Sequence, residues 1–285
     1  VHAADQAGKN WQCLADDDRC AMPMENQMSD TEIIRIWCDS YRINWYDAGA
    51  DGRITLTALC RFMQESAWRH AKHMNLGFLH LAENDVFWVL SRILIRVHRY
   101  PLWDREIAVE TWPTGVDRLF AMRDFHVSDT EGNSICSASS AWLVLDIDTH
   151  RPRRIASLID ERFLVRDRHA LGRKPEKILG SRLGEPYYRR SVLYSDIDIH
   201  NHVNNVKYME WIFDSLPIER IESHELAEIE INFLAESSHG EEVWLYNEPA
   251  SGNSPVFIHT ITKNNGDTAL CRARSVWKSK EGSLH

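Results

Sequence analysis

The sequence has no paired-cysteine motif. Cys13, Cys20, Cys38, Cys60, Cys136 and Cys271 are scattered, with no C-x-x-C among them, along a chain of 285 residues. That excludes a disulfide-stapled scaffold, argues against a zinc site, and predicts free thiols in a reducing compartment. A basic excess is also missing. Lys and Arg number 33 against 42 Asp and Glu, for a net charge of -9, which excludes a general nucleic-acid binder. No apolar run approaches the length of a membrane span, and no signal-peptide pattern opens the sequence. The expected location is the cytoplasm, or the plastid stroma if the source is a plant. A G-x-S-x-G elbow is absent too. Ser134 and Ser254 fall in GNSI and GNSP turns, so a covalent serine route has little support.

What is present in quantity is tryptophan, eleven residues, which favours large apolar cavities or interfaces. Residues 1–30 lack periodicity and read as a mobile arm on which Trp11 could dock. From Ile33 the pattern tightens into a strand, IIRIWCDSYRINWYD, then an ADGR turn. Residues Ile54–Met74 read as a helix with Leu56, Leu59, Phe62, Met63 and Ala67 on one face. Alternating strands follow in VFWVLSRILIRVHRY, REIAVETWPTG and AMRDFHVSDTEGNSICSASSAWLVLD, the last with a hairpin at Asp129–Asn133. Residues 151–185, rich in Arg, Lys, Pro and Gly, read as a linker and a domain boundary.

The second half repeats the first. CSASSAW (136–142) matches CRARSVW (271–277). Ile93, Ile95, Val97, Ile107 and Val109 match Ile229, Ile231, Phe233, Val243 and Leu245 at constant spacing. GRITLTALCRFMQES (52–66) matches NHVNNVKYMEWIFDS (201–215). Three blocks in one order define a unit of strand, helix and antiparallel strands occurring twice. The fold class is therefore α+β, a curved sheet wrapped round a helix in each half. The halves are expected at 31–150 and 186–285.

The repeat isolates a polar cluster. The stretch Tyr194–Asp214, YSDIDIHNHVNNVKYMEWIFD, carries acids, histidines and asparagines ahead of an amphipathic helix. Asn204 or Asn205 is a natural N-cap, so the cluster meets free helix amides. Where the second half has His202, Asn204 and Asn205, the first has Arg53, Thr55 and Leu56; Glu236 takes the place of Tyr100. The first half folds without the cluster, so the cluster is there for chemistry. Asp198, His200 and His202 alternate, which on a strand puts them on one face, shared by Asp196. A carboxylate beside an imidazole fixes its tautomer and raises its basicity. A metal reading of the same residues lacks further ligands. Glu236 ends a strand before the turn at Gly240 and is expected to reach the cluster. Cys60 lies on the apolar side of the first helix and reads as packing. With no activated nucleophile in view, a carboxylate activating water is the economical mechanism.

At these residues a resemblance becomes specific. DIDIHNHVNNVKYMEW is similar to the signature of the fatty acyl-ACP thioesterases, plant-type and bacterial, which have the double hot-dog fold. GRITLTALCRFMQESA, WVLSRILIRVHRYP, VETWP and WLVLD resemble the first half of the same family. The likeness runs over about residues 31–280. It implies hydrolysis of the thioester joining a fatty acyl chain to acyl carrier protein, without cofactor or metal. The family's Asp, His and Glu fall on Asp198, His202 and Glu236. Its Asn falls on His200, and the Cys of plant forms falls on Ser237; both depart from the pattern. His200 could donate a hydrogen bond as Asn does, or Asn201 could serve after a small shift of register.

The resulting expectation is that Glu236 activates water, His202 assists proton transfer, Asp198 orients the histidine or its backbone, and His200 positions thioester or water. Amides at Asn204 and Asn205 stabilise the oxyanion. The alkyl chain enters the first half, with Leu59, Phe62, Met63 and Trp88 as pocket residues. Arg151, Arg153, Arg154, Arg173, Lys174 and Lys177 of the linker either meet the acidic carrier protein and its phosphopantetheine or are merely solvated. No nucleic acid or membrane partner is expected, and a homodimer stays open. Two rival readings remain: an acyl-CoA thioesterase of the same fold, and a non-catalytic acyl-thioester sensor.

Overall fold

Alternation along Val86–Val97 sets the centre of the molecule. Ile93, Ile95 and Val97 are buried there, and the strand pairs on both sides. The computed structural model describes residues 33–155, 158–180, 184–250 and 254–280; the arm expected at 1–30, with Trp11, Cys13 and Cys20, lies outside them. Eleven strands among these residues form one sheet. In chain order they are β1 (Trp37–Arg42), β2 (Val86–Val97), β3 (Glu106–Asp117), β4 (Phe120–Asp129), β5 (Ser134–Asp146), β6 (Pro152–Arg153), β7 (Tyr188–Ser191), β8 (His224–Phe233), β9 (Glu242–Pro249), β10 (Val256–Lys263) and β11 (Thr268–Ser279). The spatial order is β1-β3-β4-β5-β2-β8-β11-β10-β9-β7, with β6 beside β5.

The two halves meet through equivalent strands. β2 and β8 run antiparallel, with Ile93 opposite Ile231 and Ile95 opposite Ile229. These are the residues that the internal repeat matched. Antiparallel pairing of equivalent strands makes a local two-fold axis, so both apolar faces turn to the same side of one sheet.

Two helices fill that side. α1 (Leu56–His73) starts where the Thr55 hydroxyl accepts from the Ala58 amide, an N-cap typically worth about 1 kcal/mol. His70, Lys72 and His73 occupy its last turn, where positive charge suits the helix C-terminus. A short α2 (Phe78–Ala82) follows. In the second half α3 (Asn205–Asp214) is the counterpart of α1, and α4 (Ile218–Ser223) comes after it. Leu59, Met63, Met209, Trp211 and Ile212 are all buried in one core shared by both halves. Each such aliphatic side chain contributes roughly 2 kcal/mol of burial. Cys60 Sγ lies 3.3 Å from Met209 Sδ between the helices. Burial pushes its thiol up to about 12, as fits packing rather than a nucleophile.

The chain between the halves is not merely solvated. Phe163, Leu164 and Val165 are buried. The Trp112 indole donates to the Arg168 carbonyl at 2.9 Å, and the Ala170 amide donates to Asp124 at 2.9 Å. Further on, the Ile178 amide donates to Asn232 Oδ1 at 2.7 Å. The segment thus straps strands β3, β4 and β8 across both halves. Arg173 pairs with Glu228 at 2.8 Å and Glu230 at 2.9 Å, and Lys174 with Asp117 at 3.2 Å. Of the two alternatives for these cations, neither fits Arg173, which is taken up by the sheet, while Lys174 stays exposed beside Asp117. Glu230 is buried in the sheet, and a buried carboxylate needs a cation beside it. Arg151, Arg154 and Lys177 are exposed.

Candidate active site

The polar cluster is a turn, not a strand. The amide of Asp198 donates to the His202 carbonyl at 2.9 Å, and that of Asn201 to the Asp198 carbonyl at 3.0 Å. Asp198 Oδ1 accepts from the His200 amide at 2.9 Å. Isolated pairing of Ile197 with Val203 closes the loop. Asn201 has φ of 61°, a left-handed conformation that Asn tolerates and that breaks strand alternation. Asp198, His200 and His202 therefore do not share one strand face as the spacing suggested.

The first half builds the same turn. Gly49 donates to the Arg53 carbonyl, and Gly52 donates to that of Gly49, both at 2.9 Å. Gly52 takes the left-handed position with φ of 72°. The acid before each turn is structural in both halves. Asp47 accepts from the Asn44 amide at 3.1 Å, and Asp196 from the Leu193 amide at 2.8 Å. Asp196 also pairs with Arg190 at 2.8 Å. Asp196 thus belongs to the scaffold and not to the cluster, because the half without the cluster keeps its counterpart.

From this turn the candidate side chains separate. His202 Nε2 lies 3.3 Å from Glu236 Oε2, and both side chains are more than a third exposed. The His200 ring lies 6.1 Å from that of Phe78. Asn204 is the N-cap, its Oδ1 accepting from the Val206 amide at 2.9 Å. Asn205 opens α3. The amides of Asn204, Val206 and Lys207 have acceptors close by in the chain, while among the described residues the Asn205 amide at the helix start has none.

Glu236 sits on a loop held from behind. The Val203 amide donates to the Ser237 carbonyl at 2.9 Å, which fixes the loop against the turn. The matching bond in the first half runs from Ile54 to Pro101 at 2.9 Å. Lys263 Nζ donates to the Glu236 carbonyl at 2.9 Å and to Glu241 Oε1 at 2.9 Å. Glu241 also accepts from the Ser237 hydroxyl at 2.8 Å and the Ser238 amide at 2.9 Å. Burial alone raises the Glu241 carboxyl, but these donors outweigh it and hold it below the ordinary range. Ser237 is buried and occupied with Glu241. Lys263 and Glu241 carried no motif in the sequence; pairing of β9 with β10 brings Lys263 to the loop that already holds Glu241.

A cavity of about 240 Å³ runs from the turn into the first half. Ile199 and His200 contribute to its wall from the second half; Trp68, Ala71, Leu76, Trp88, Met122 and Trp142 line it from the first. Of the expected pocket residues, Trp88 is in this wall, with its indole donating to the Leu76 carbonyl at 2.9 Å. Leu59, Phe62 and Met63 are not. Leu59 and Met63 are in the central core, and Phe62 stacks on Tyr41 at 4.5 Å. The reason is helical phase: positions 64, 67, 68 and 71 face the cavity, about a third of a turn away. The repeat itself explains the asymmetry. It ends at Ser66 and Ser215. α3 stops there, while α1 runs on to His73 and makes the cavity wall. In the second half, Asn247 donates to the Ser215 carbonyl and hydroxyl at 2.8 Å, and a buried His259 joins the network.

One sheet wrapped round two central helices, with equivalent strands paired at the middle, is the double hot-dog architecture. Residues 35–163 match the acyl-ACP thioesterase N-terminal domain and residues 186–279 the acyl-ACP thioesterase C-terminal domain. The chain belongs to the acyl-ACP thioesterase family. It is 27% identical over 265 residues to an acyl-ACP hydrolase of Cuphea viscosissima named as chloroplastic, covering 86% of this chain and 62% of that one. The chain therefore spans less than two thirds of that relative's length. A crystal structure of an acyl-ACP thioesterase from Bacteroides thetaiotaomicron superposes with a TM-score of 0.71 at 28% identity, over 86% of this chain and 98% of that one. The 12:0-ACP thioesterase from Umbellularia californica gives 0.75 at 25% identity, over 87% and 98%.

Proposed function

We propose that the protein hydrolyses the thioester of a fatty acyl chain carried on acyl carrier protein, releasing the free fatty acid. The observation that carries this reading is the His202–Glu236 pair, 3.3 Å apart, beside a turn whose His200 walls an apolar cavity. Glu236 takes a proton from water as the water oxygen attacks the thioester carbonyl. The oxyanion forms against the amide of Asn205; one such donor is typically worth about 3 kcal/mol. Collapse breaks the C–S bond, and the phosphopantetheine thiolate leaves with a proton relayed through His202. Asp198 acts on the backbone, tying His200 and His202 into one turn. His200 positions the acyl group where the turn meets the cavity, in the place of the family's Asn. The alkyl chain lies in the first half.

Names of relatives from plants and from Bacteroides thetaiotaomicron support carrier protein over CoA as the substrate's thiol. Exposed Leu193, Tyr194 and Ile199 beside the turn offer the carrier protein a contact. The described cysteines are free thiols, in keeping with a reducing compartment such as cytoplasm or stroma. The test compares thiol release from one acyl chain on carrier protein and on CoA, with native protein and Glu236→Gln. The expected result is faster hydrolysis of the carrier-protein thioester and a ~100- to 10,000-fold loss in the variant. Faster hydrolysis of acyl-CoA makes it a CoA thioesterase; binding without thiol release makes it a sensor.

A further inference from the structure

Among the described residues, the apolar cavity has one arginine or lysine in its wall. Arg123, on β4, lines it and is 9% exposed. Among the described residues no carboxylate pairs with it. Its Nη1 lies 3.1 Å from both His70 Nδ1 and Thr111 Oγ1, and its Nη2 is 3.9 Å from Met74 Sδ. These partners are neutral. The His70 Nε2–H donates to the Ile34 carbonyl at 2.8 Å, so Nδ1 is a lone pair facing the guanidinium. Thr111 gives its proton to the Asp124 carbonyl at 3.0 Å and likewise presents an acceptor. The neighbouring acid, Asp124, points through the opposite face of the strand, where it accepts from Ala170 at 2.9 Å. Burial lowers the guanidinium to about 10, still charged at neutral pH, and burial with the Arg123 charge lowers His70 to about 3.

A buried cation without a counter-charge is costly and gains from any acceptor that reaches it. The Nη2 edge has only a thioether near it, and an arginine offers five N–H groups. An alkyl chain filling the cavity leaves that edge unanswered. We propose that Arg123 recognises an oxygen substituent, a hydroxyl or keto group, on the acyl chain held in this cavity. The substrate class is then oxygen-bearing acyl thioesters, preferred over plain chains of equal length. This deepens the thioesterase reading and rests on the acyl chain occupying the cavity.

The test scans position. Non-hydrolysable thioether analogues of one acyl-pantetheine, unsubstituted and with a hydroxyl or keto group at each successive carbon, are titrated by the fluorescence of Trp88 and Trp142. The matching thioesters are assayed for thiol release. At one position the oxygen is expected to tighten binding and raise kcat/KM about tenfold over the plain chain, because a site that hydrogen-bonds a substrate oxygen discriminates against its absence. In Arg123→Met the ratio of substituted to plain falls to about one; in Arg123→Lys part of it survives. No gain at any position in the native protein overturns the proposal, and this scan decides it even where Arg123→Met does not fold. A gain that persists in Arg123→Met also overturns it. A binding preference without thiol release from any thioester upholds this proposal and overturns hydrolysis.

Discussion

Lys263 holds the main chain of Glu236: its Nζ lies 2.9 Å from the Glu236 carbonyl, while the carboxylate of the same residue is 3.3 Å from His202. The lysine is bound on its other side to Glu241, so the loop carrying the proposed base is fixed at its backbone and not at its reacting end. That arrangement leaves the carboxylate open to water while denying it a choice of place.

Lys263→Met should therefore lower kcat by ~10- to 100-fold with little change in KM, because a base displaced by a fraction of an ångström loses its attack geometry. Lys263→Arg should recover part of the loss. Steady-state kinetics on one acyl thioester checks this. Equal changes in kcat and KM, or none, would show that the clamp serves only the fold.

Ser237 stands where plant forms of the family carry Cys, yet its hydroxyl donates to Glu241 and is buried. Ser237→Ala should keep hydrolysis within about threefold and cost roughly 1 kcal/mol of stability, the worth of one hydrogen bond. Loss of all thiol release, with the urea midpoint unchanged, would instead point to a serine nucleophile.

Asn201 holds a left-handed backbone position in the turn, which gives it a conformational role apart from its side chain. Its counterpart is Gly52, in the same conformation. Asn201→Gly should retain activity and the thermal midpoint, since glycine meets no Cβ penalty there. Asn201→Val should destabilise by 1 kcal/mol or more, roughly. A large loss of kcat in the glycine variant would mean that the amide takes part.

The second half carries a buried pH sensor of stability. His259 Nδ1 is 2.7 Å from Asn247 Oδ1 and Nε2 is 2.7 Å from Ser275 Oγ, which itself accepts from the Trp277 indole at 2.8 Å. Ser275 must give its proton to His259, so protonating that nitrogen sets two donors face to face. Burial lowers His259 to about 3, against about 6.5 when unfolded. The unfolded chain then binds the extra proton between those values. Stability is full above pH 6.5 and falls as pH drops towards 3, by a few kcal/mol, roughly. His259→Gln should flatten that slope in urea titrations across pH 4 to 7, with the share from His70, also lowered to about 3, remaining.

Periodicity and the internal repeat were enough to read two copies of strand, helix and sheet, because side-chain period follows local backbone geometry. The hairpin at Asp129–Asn133, the helix from Leu56 and the cap at Asn204 are local in the same sense. The candidate cluster stood out too, as the difference between two copies of one turn, although Asp196, counted on its face, belongs to the scaffold. Its geometry was not. The alternation of Asp198, His200 and His202 suggested a strand face, whereas Asn201 and the Asp198 side chain close a turn; a spacing of two residues does not separate the two. Pocket residues were placed on the wrong face of α1, since a stripe of apolar residues does not say which part meets the partner helix and which meets a cavity. Lys263 and Arg123 gave no signal, because each gains its role from elements distant in the chain; Glu241, though local to the Glu236 loop, matched no motif. The sequence by itself determined the repeating unit, the family and the polar residues added to one copy. Tertiary structure alone decided that His202 meets Glu236, that His200 faces the cavity, and that the buried Arg123 stands there without an acid among the described residues, for those are contacts across the sheet and not patterns along it.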